Sequence, residues 1–109
     1  MKHLSSEEWI IACTLKKLER EQRVELMIQS HVILILLNES QPLALLNRCP
    51  HQGYPLSSSR LDAEQKILTC PFHEWSFSLL DGHCLQNQSQ LQFFPLKVEA
   101  GMVCVKLSP

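Results

Sequence analysis

Two short segments decide how this chain is read: Cys49-Pro50-His51-Gln52-Gly53 and Cys70-Pro71-Phe72-His73-Glu74-Trp75-Ser76-Phe77. The first contains C-x-H and the second C-x-x-H, and residues 52 to 69 separate them, enough chain to bring two loops together in space. Each motif offers one thiolate and one imidazole. A lone C-x-H is more often a core or surface pair than a ligand pair. Two such motifs, each following a strand and each holding a proline, point to a metal centre built from Cys49, His51, Cys70 and His73. Gly53 supplies the backbone freedom and Pro55 the stiffness that a tight metal-binding loop needs.

Outward from the motifs, the chain reads as short strands. Trp9 to Cys13 is apolar and β-prone, and Lys16 to Glu21 is a turn or a short helical turn. Val24, Leu26 and Ile28 alternate with Glu25, Met27 and Gln29, the period of a half-buried strand. Ser30-His31 reads as a tight turn, Val32 to Leu37 as a strand buried on both faces, and Asn38 to Gln41 as a polar turn. Pro42 opens a strand that Leu43 to Leu46 continues up to the first motif. Ser57 to Ser59 is loop. Lys66 to Thr69 feeds the second motif, and Trp75 to Ser78 leaves it as an alternating strand whose aromatic residues are expected in the core. Asp81-Gly82 signals a hairpin, Asn87 to Gln90 is loop, and Phe93 to Val98 and Met102 to Leu107 are two last strands joined at Ala100-Gly101. Many short strands at short spacing predict an all-β sandwich or barrel. No amphipathic helix follows the motifs, which argues against a helical zinc finger.

Composition narrows the function. With 109 residues, 45% hydrophobic and 19% charged, the chain is expected to be one globular domain, 1–109. A net charge of −1 gives no basic surplus for nucleic acid. The longest apolar run, Val32 to Leu37, is far too short to span a membrane, and Met1 to Glu8 lacks the apolar stretch of a secretory signal. Three of the five cysteines, Cys13, Cys84 and Cys104, fall outside the motifs; they are expected to be buried and inert, in a reducing cytoplasm. His3, His31 and His83 are expected at the surface, and Lys16, Lys17, Arg20 and Arg23 on a mixed, solvated face. Three glycines, none in G-x-G spacing, exclude a dinucleotide fingerprint, and no second metal set accompanies the first. These features suit a carrier rather than a stand-alone enzyme.

Two kinds of centre fit two cysteines and two histidines: a structural zinc site, which would make the chain an interaction module, or an iron–sulfur centre. The two motifs together resemble the Rieske [2Fe–2S] family, closest to Rieske ferredoxins and the Rieske domains of ring-hydroxylating oxygenases. Trp9 with Cys13-x-Leu15-x-x-Leu18, Asp81-Gly82-x-Cys84-Leu85 and Phe94-Pro95-Leu96 support the resemblance along nearly the whole chain. It implies a small antiparallel Rieske-type sandwich or barrel with a two-loop cluster-binding sub-domain at about residues 47–85. It implies that Cys49 and Cys70 hold one iron of a single [2Fe–2S] cluster and that His51 and His73 hold the other. The implied role is a soluble one-electron carrier between a flavin-dependent reductase and a terminal, ring-hydroxylating oxygenase. The small Rieske subunit of a nitrite reductase is the alternative.

The resemblance also carries a tuning argument. Two ferric irons, two sulfides and two thiolates sum to zero charge, and neutral imidazoles add none. Such centres therefore lie at higher potential than four-thiolate ones, between about −150 and +300 mV. High-potential members of the family carry a cross-loop disulfide and two hydroxyl donors. At those positions this chain has Tyr54 and Phe72, and Trp75 and Phe77. A low potential, about −150 mV to zero, is expected, and a midpoint above about +200 mV would contradict it. Glu74 stands where the family commonly has glycine. It is expected either to face solvent or to sit near His73 and disfavour reduction by like charge. Tyr54 is expected to shape its loop or to belong to a docking face.

Overall fold

A computed structural model describes residues 8–50, 53–72 and 74–107. In chain order the elements are β1 (Ile10–Thr14), α1 (Leu15–Glu21), β2 (Arg23–Ile28), β3 (His31–Asn38), β4 (Gln41–Leu46), β5 (Arg60–Asp62), β6 (Ile67–Thr69), β7 (Ser76–Ser78), β8 (Phe93–Phe94), β9 (Leu96–Glu99) and β10 (Met102–Val105). They form three antiparallel sheets, ordered β2-β3-β4-β8, β1-β10-β9 and β5-β6-β7. The all-β reading is thus the observed one, with a single short helix.

β3 explains how the sheets assemble. Successive side chains of a strand point to opposite faces. Ile33, Ile35 and Leu37 join Val24, Ile28, Ala44, Phe94, Val103 and Val105 in one core. Leu34 and Leu36 join Leu45, Leu56, Leu68 and Phe77 in a second core, which also holds Cys49 and Cys70. The continuous apolar run is therefore the shared wall of two cores. α1 caps the first core with Leu18, which is fully buried. The Thr14 hydroxyl accepts the Lys17 N–H at 3.1 Å to start this helix, and Gln22, left-handed at φ 69°, ends it.

Several expected boundaries shift. The β2–β3 turn is Gln29-Ser30, both at positive φ (50° and 74°), and His31 already pairs with Ile28. A two-residue hairpin loop needs that backbone to match the strands' twist. The β3–β4 turn is likewise tighter than Asn38 to Gln41, because Asn38 and Gln41 pair with each other. Pro95 divides the expected strand Phe93 to Val98 into β8 and β9. The Asp81-Gly82 signal yields two isolated bridges, Phe77 with Cys84 and His83 with Gln90, instead of paired strands. Gly82 serves packing as well as turning: a Cβ there would lie 2.9 Å from the Phe93 ring and 3.0 Å from the Leu91 carbonyl oxygen. β5 was not anticipated, since Arg-Leu-Asp carries one apolar residue and no detectable period. Among the described residues no helix is long and apolar enough to cross a membrane.

Candidate metal centre

The two cysteine loops are residues 47–59, between β4 and β5, and residues 70–75, between β6 and β7. Their backbones repeat one pattern. Cys49 N–H donates to the Tyr54 carbonyl (2.6 Å), and the Cys49 carbonyl accepts from Gly53 N–H (2.7 Å). Cys70 N–H donates to the Trp75 carbonyl (2.8 Å), and the Cys70 carbonyl accepts from Glu74 N–H (2.8 Å). Each loop thus closes on its own cysteine with the same offsets. The reversal needs a left-handed residue four positions after each cysteine: Gly53 at φ +78° and Glu74 at φ +57°. Cys49 and Cys70 are 3% and 0% exposed, so both thiols enter one apolar core from equivalent places.

The first loop is anchored from below by polar groups. Asn47 donates from Nδ2 to Glu25 on β2 (2.9 Å), and its Oδ1 accepts the Leu56 N–H (2.8 Å). Its own N–H reaches the Val32 carbonyl (2.8 Å). Arg23, also on β2, donates to the Ser57 carbonyl at 2.7 Å. Hydrogen bonds from Ser57 and Asn47 hold the Glu25 carboxyl below its ordinary range. Leu56, fully buried, pins the middle of the loop in the core. Arg23 is therefore no member of a solvated basic face: it is half-buried, and burial lowers its pKa.

The second loop is held from outside. Glu74 forms a two-point ion pair with Arg60 on β5, at 2.9 and 3.3 Å. Both side chains are more than 60% exposed (62% and 64%). The hydrogen bonds and charge of Arg60 hold the Glu74 carboxyl below its ordinary range. The expectation of a solvent-facing carboxylate describes this residue, with a compensating cation added. Behind it, the Thr69 and Ser76 hydroxyls share a hydrogen bond at 2.9 Å, and Ser76 N–H donates to Gln86 Oε1 at 2.9 Å. Across the loops, the Tyr54 and Phe72 rings stack with centroids 4.2 Å apart and planes at 19°.

Of the four expected ligands, Cys49 and Cys70 are brought into one core; His51 and His73 lie outside the described residues, as do His3 and Gln52. Among the described residues no three His, Cys, Asp or Glu side chains gather as a metal site. The donor set fits a centre held by two thiolates and two imidazoles: buried thiols at matched loop positions, with a histidine two residues on in one loop and three in the other. Phe77 is fully buried and Trp75 packs against the same core. Cys84 and Cys104 are buried, whereas Cys13 is only half-buried, and no disulfide joins any of the five cysteines. His31 and His83 are exposed. Asn47, Glu25, Arg23 and Arg60 gave no sequence signal, because each meets its loop partner far along the chain.

Comparison with known proteins agrees with this arrangement. A family model described as the Rieske [2Fe–2S] domain matches residues 8–97. The ferredoxin component of the alkene monooxygenase system of Xanthobacter autotrophicus is 32% identical over 103 residues, covering 94% of this chain and 84% of that protein. The carnitine monooxygenase oxygenase subunit of Escherichia coli is 28% identical over 95 residues, covering 76% of this chain but 25% of that longer protein. Among solved structures, the ferredoxin of carbazole 1,9a-dioxygenase from Nocardioides aromaticivorans superposes with a TM-score of 0.80 at 18% identity, covering 94% of this chain and 99% of that one.

Proposed function

The chain belongs to the Rieske [2Fe–2S] domain family, and on that premise we propose that it is a one-electron carrier delivering electrons to a terminal oxygenase. The observation that carries the proposal is the pair of matching loops, which bury Cys49 and Cys70 in one core. Similarity to a ferredoxin component of an alkene monooxygenase system along most of both chains supports the oxygenase assignment. A flavin-dependent reductase is the donor and a terminal oxygenase, of ring-hydroxylating or related type, the acceptor. The chain is the electron-transfer component of such a system and performs no turnover of its own. Residues 1–109 act as one domain, with the cluster-binding part at about residues 47–85.

In this reading Cys49 and Cys70 hold one iron through sulfur, and His51 and His73 hold the other through nitrogen. When bound, a [2Fe–2S] cluster supplies a reversible one-electron couple. The protein's own contribution is enclosure. Leu56, Leu68 and Phe77 keep water from the thiolates, and the loop backbones set where both cysteines stand. Five cysteines without a disulfide suit a reducing compartment, and the cytoplasm is the proposed location.

The test is direct. The purified protein should be red-brown and contain equal iron and acid-labile sulfide. It should accept electrons from a flavin reductase and restore turnover to a terminal oxygenase lacking its carrier. A colourless protein holding zinc and no sulfide would replace this reading with a structural zinc module.

A further inference from the structure

We propose that the Tyr54–Phe72 stack is a non-covalent brace that locks the two cysteine loops together and controls how readily the cluster is released. The inference rests on the carrier reading above and adds two positioning residues to it. Tyr54 and Phe72 are 40% and 51% exposed, yet their rings lie nearly parallel at 4.2 Å, one from each loop. Aromatic rings in contact attract each other by more than the area they bury. Backbone connections make the pair more than a surface contact. The Tyr54 carbonyl accepts the Cys49 N–H, so the residue that closes the first loop also reaches into the second. Phe72 lies in sequence between Cys70 and His73, two of the expected ligands. A motion that separates the loops must therefore break the stack, whose first-loop ring is carried by the residue that closes on Cys49. A centre ligated from both loops escapes only when they part, so the stack acts on release through the loops, not by touching the irons.

The experiment uses the loaded protein. Iron and sulfide are first quantified in every variant, which tests the carrier reading separately; an absence of both in the wild type defeats that reading and the brace with it, whereas a loaded wild type leaves the release rates to decide the brace alone. Cluster loss to an excess of a ferrous chelator is then timed by the decay of visible absorbance. Tyr54→Ala and Phe72→Ala should each speed loss by about threefold to tenfold, which is about 0.7 to 1.4 kcal/mol at 1.4 kcal/mol per tenfold. The double variant should lose its cluster no faster than the quicker single variant, since one interaction is removed once. Phe72→Tyr, which preserves the stack, should release at the wild-type rate. If Phe72→Ala does not load, Phe72→Leu keeps the bulk without the ring and should still release faster. Wild-type release from the alanine variants overturns the brace, and if electron delivery to the oxygenase slows at the same time, the pair is a docking face. Additive effects in the double variant, or failure of Phe72→Tyr to behave as wild type, overturn it as well.

Discussion

The two cysteine loops share a backbone and differ in what holds it. The first turns through Gly53, where no Cβ opposes a left-handed conformation, and is anchored inward by Asn47, Glu25 and Arg23. The second turns through Glu74, which accepts the same conformation with a side chain, and that side chain reaches Arg60 on the outer strand β5. One backbone requirement is thus met in two ways: by removing the atom that clashes, or by retaining it and gaining an ion pair. The inner anchors run through the buried Asn47 and the half-buried Arg23, with Glu25 exposed at one end, whereas both members of the outer pair stand in salt and solvent.

The largest effect tests what the loops have in common. Cys49→Ser and Cys70→Ser should each abolish cluster incorporation, seen as loss of visible absorbance and bound iron. If one of them retained a full cluster, the loops would not be equivalent. The next change breaks the inner anchorage. Asn47→Ala leaves the Leu56 N–H without its acceptor in a buried setting, and should cost about 1 to 3 kcal/mol in denaturant unfolding. Arg60→Gln, the matching cut on the outside, should cost clearly less, and raising the salt should shrink its effect alone. Equal costs would remove the inside–outside distinction.

A smaller effect addresses the left-handed residues themselves. Among the described residues Gly53→Ala meets no steric obstacle, since the nearest atom to a new Cβ is Arg48 Nε at 3.9 Å. The backbone conformation alone should then cost about 1 to 2 kcal/mol. Glu74→Gly relieves the same conformation but forfeits the Arg60 pair, so its unfolding midpoint should move less than that of Gly53→Ala.

The anchor at Glu25 also gives a pH signature. Its carboxyl is held below its usual value of 4.5 in the folded chain. Its stabilisation is therefore fully present above that value and is lost as pH falls through the lowered folded value. The gap in unfolding midpoint between wild type and Glu25→Gln should close on going from neutral pH into that acid range. The smallest effect concerns tuning. Because Arg60 compensates Glu74 at the surface, Glu74→Gln should leave the cluster midpoint within about 20 mV of wild type, a third of the ~59 mV that marks a tenfold change in a one-electron equilibrium. A larger shift would mean that the carboxylate acts on the centre directly.

Much of this molecule is legible along the chain. The alternation of Val24, Leu26 and Ile28 and the unbroken run to Leu37 each became the strand they suggest. β5 escaped because Arg60-Leu61-Asp62 has too few apolar residues to show a period, and it forms only by pairing with β6. Arg23 looked like one cation in a solvated group, and only the position of Ser57 shows otherwise.

By itself the sequence determined the family and proposed the donor set, because two cysteines and two histidines at short, fixed spacing are a local pattern that needs no folding to recognise. It also determined the strand faces, through a period of two. Only the tertiary structure decided how the loops are held. The contacts that hold them join residues 14, 22 and 34 positions apart: Arg60 with Glu74, Glu25 with Asn47, and Arg23 with Ser57. Their pairing depends on which strands lie side by side, and no spacing along the chain records that. The same holds for Tyr54 and Phe72, which the sequence places in different loops and the fold sets face to face.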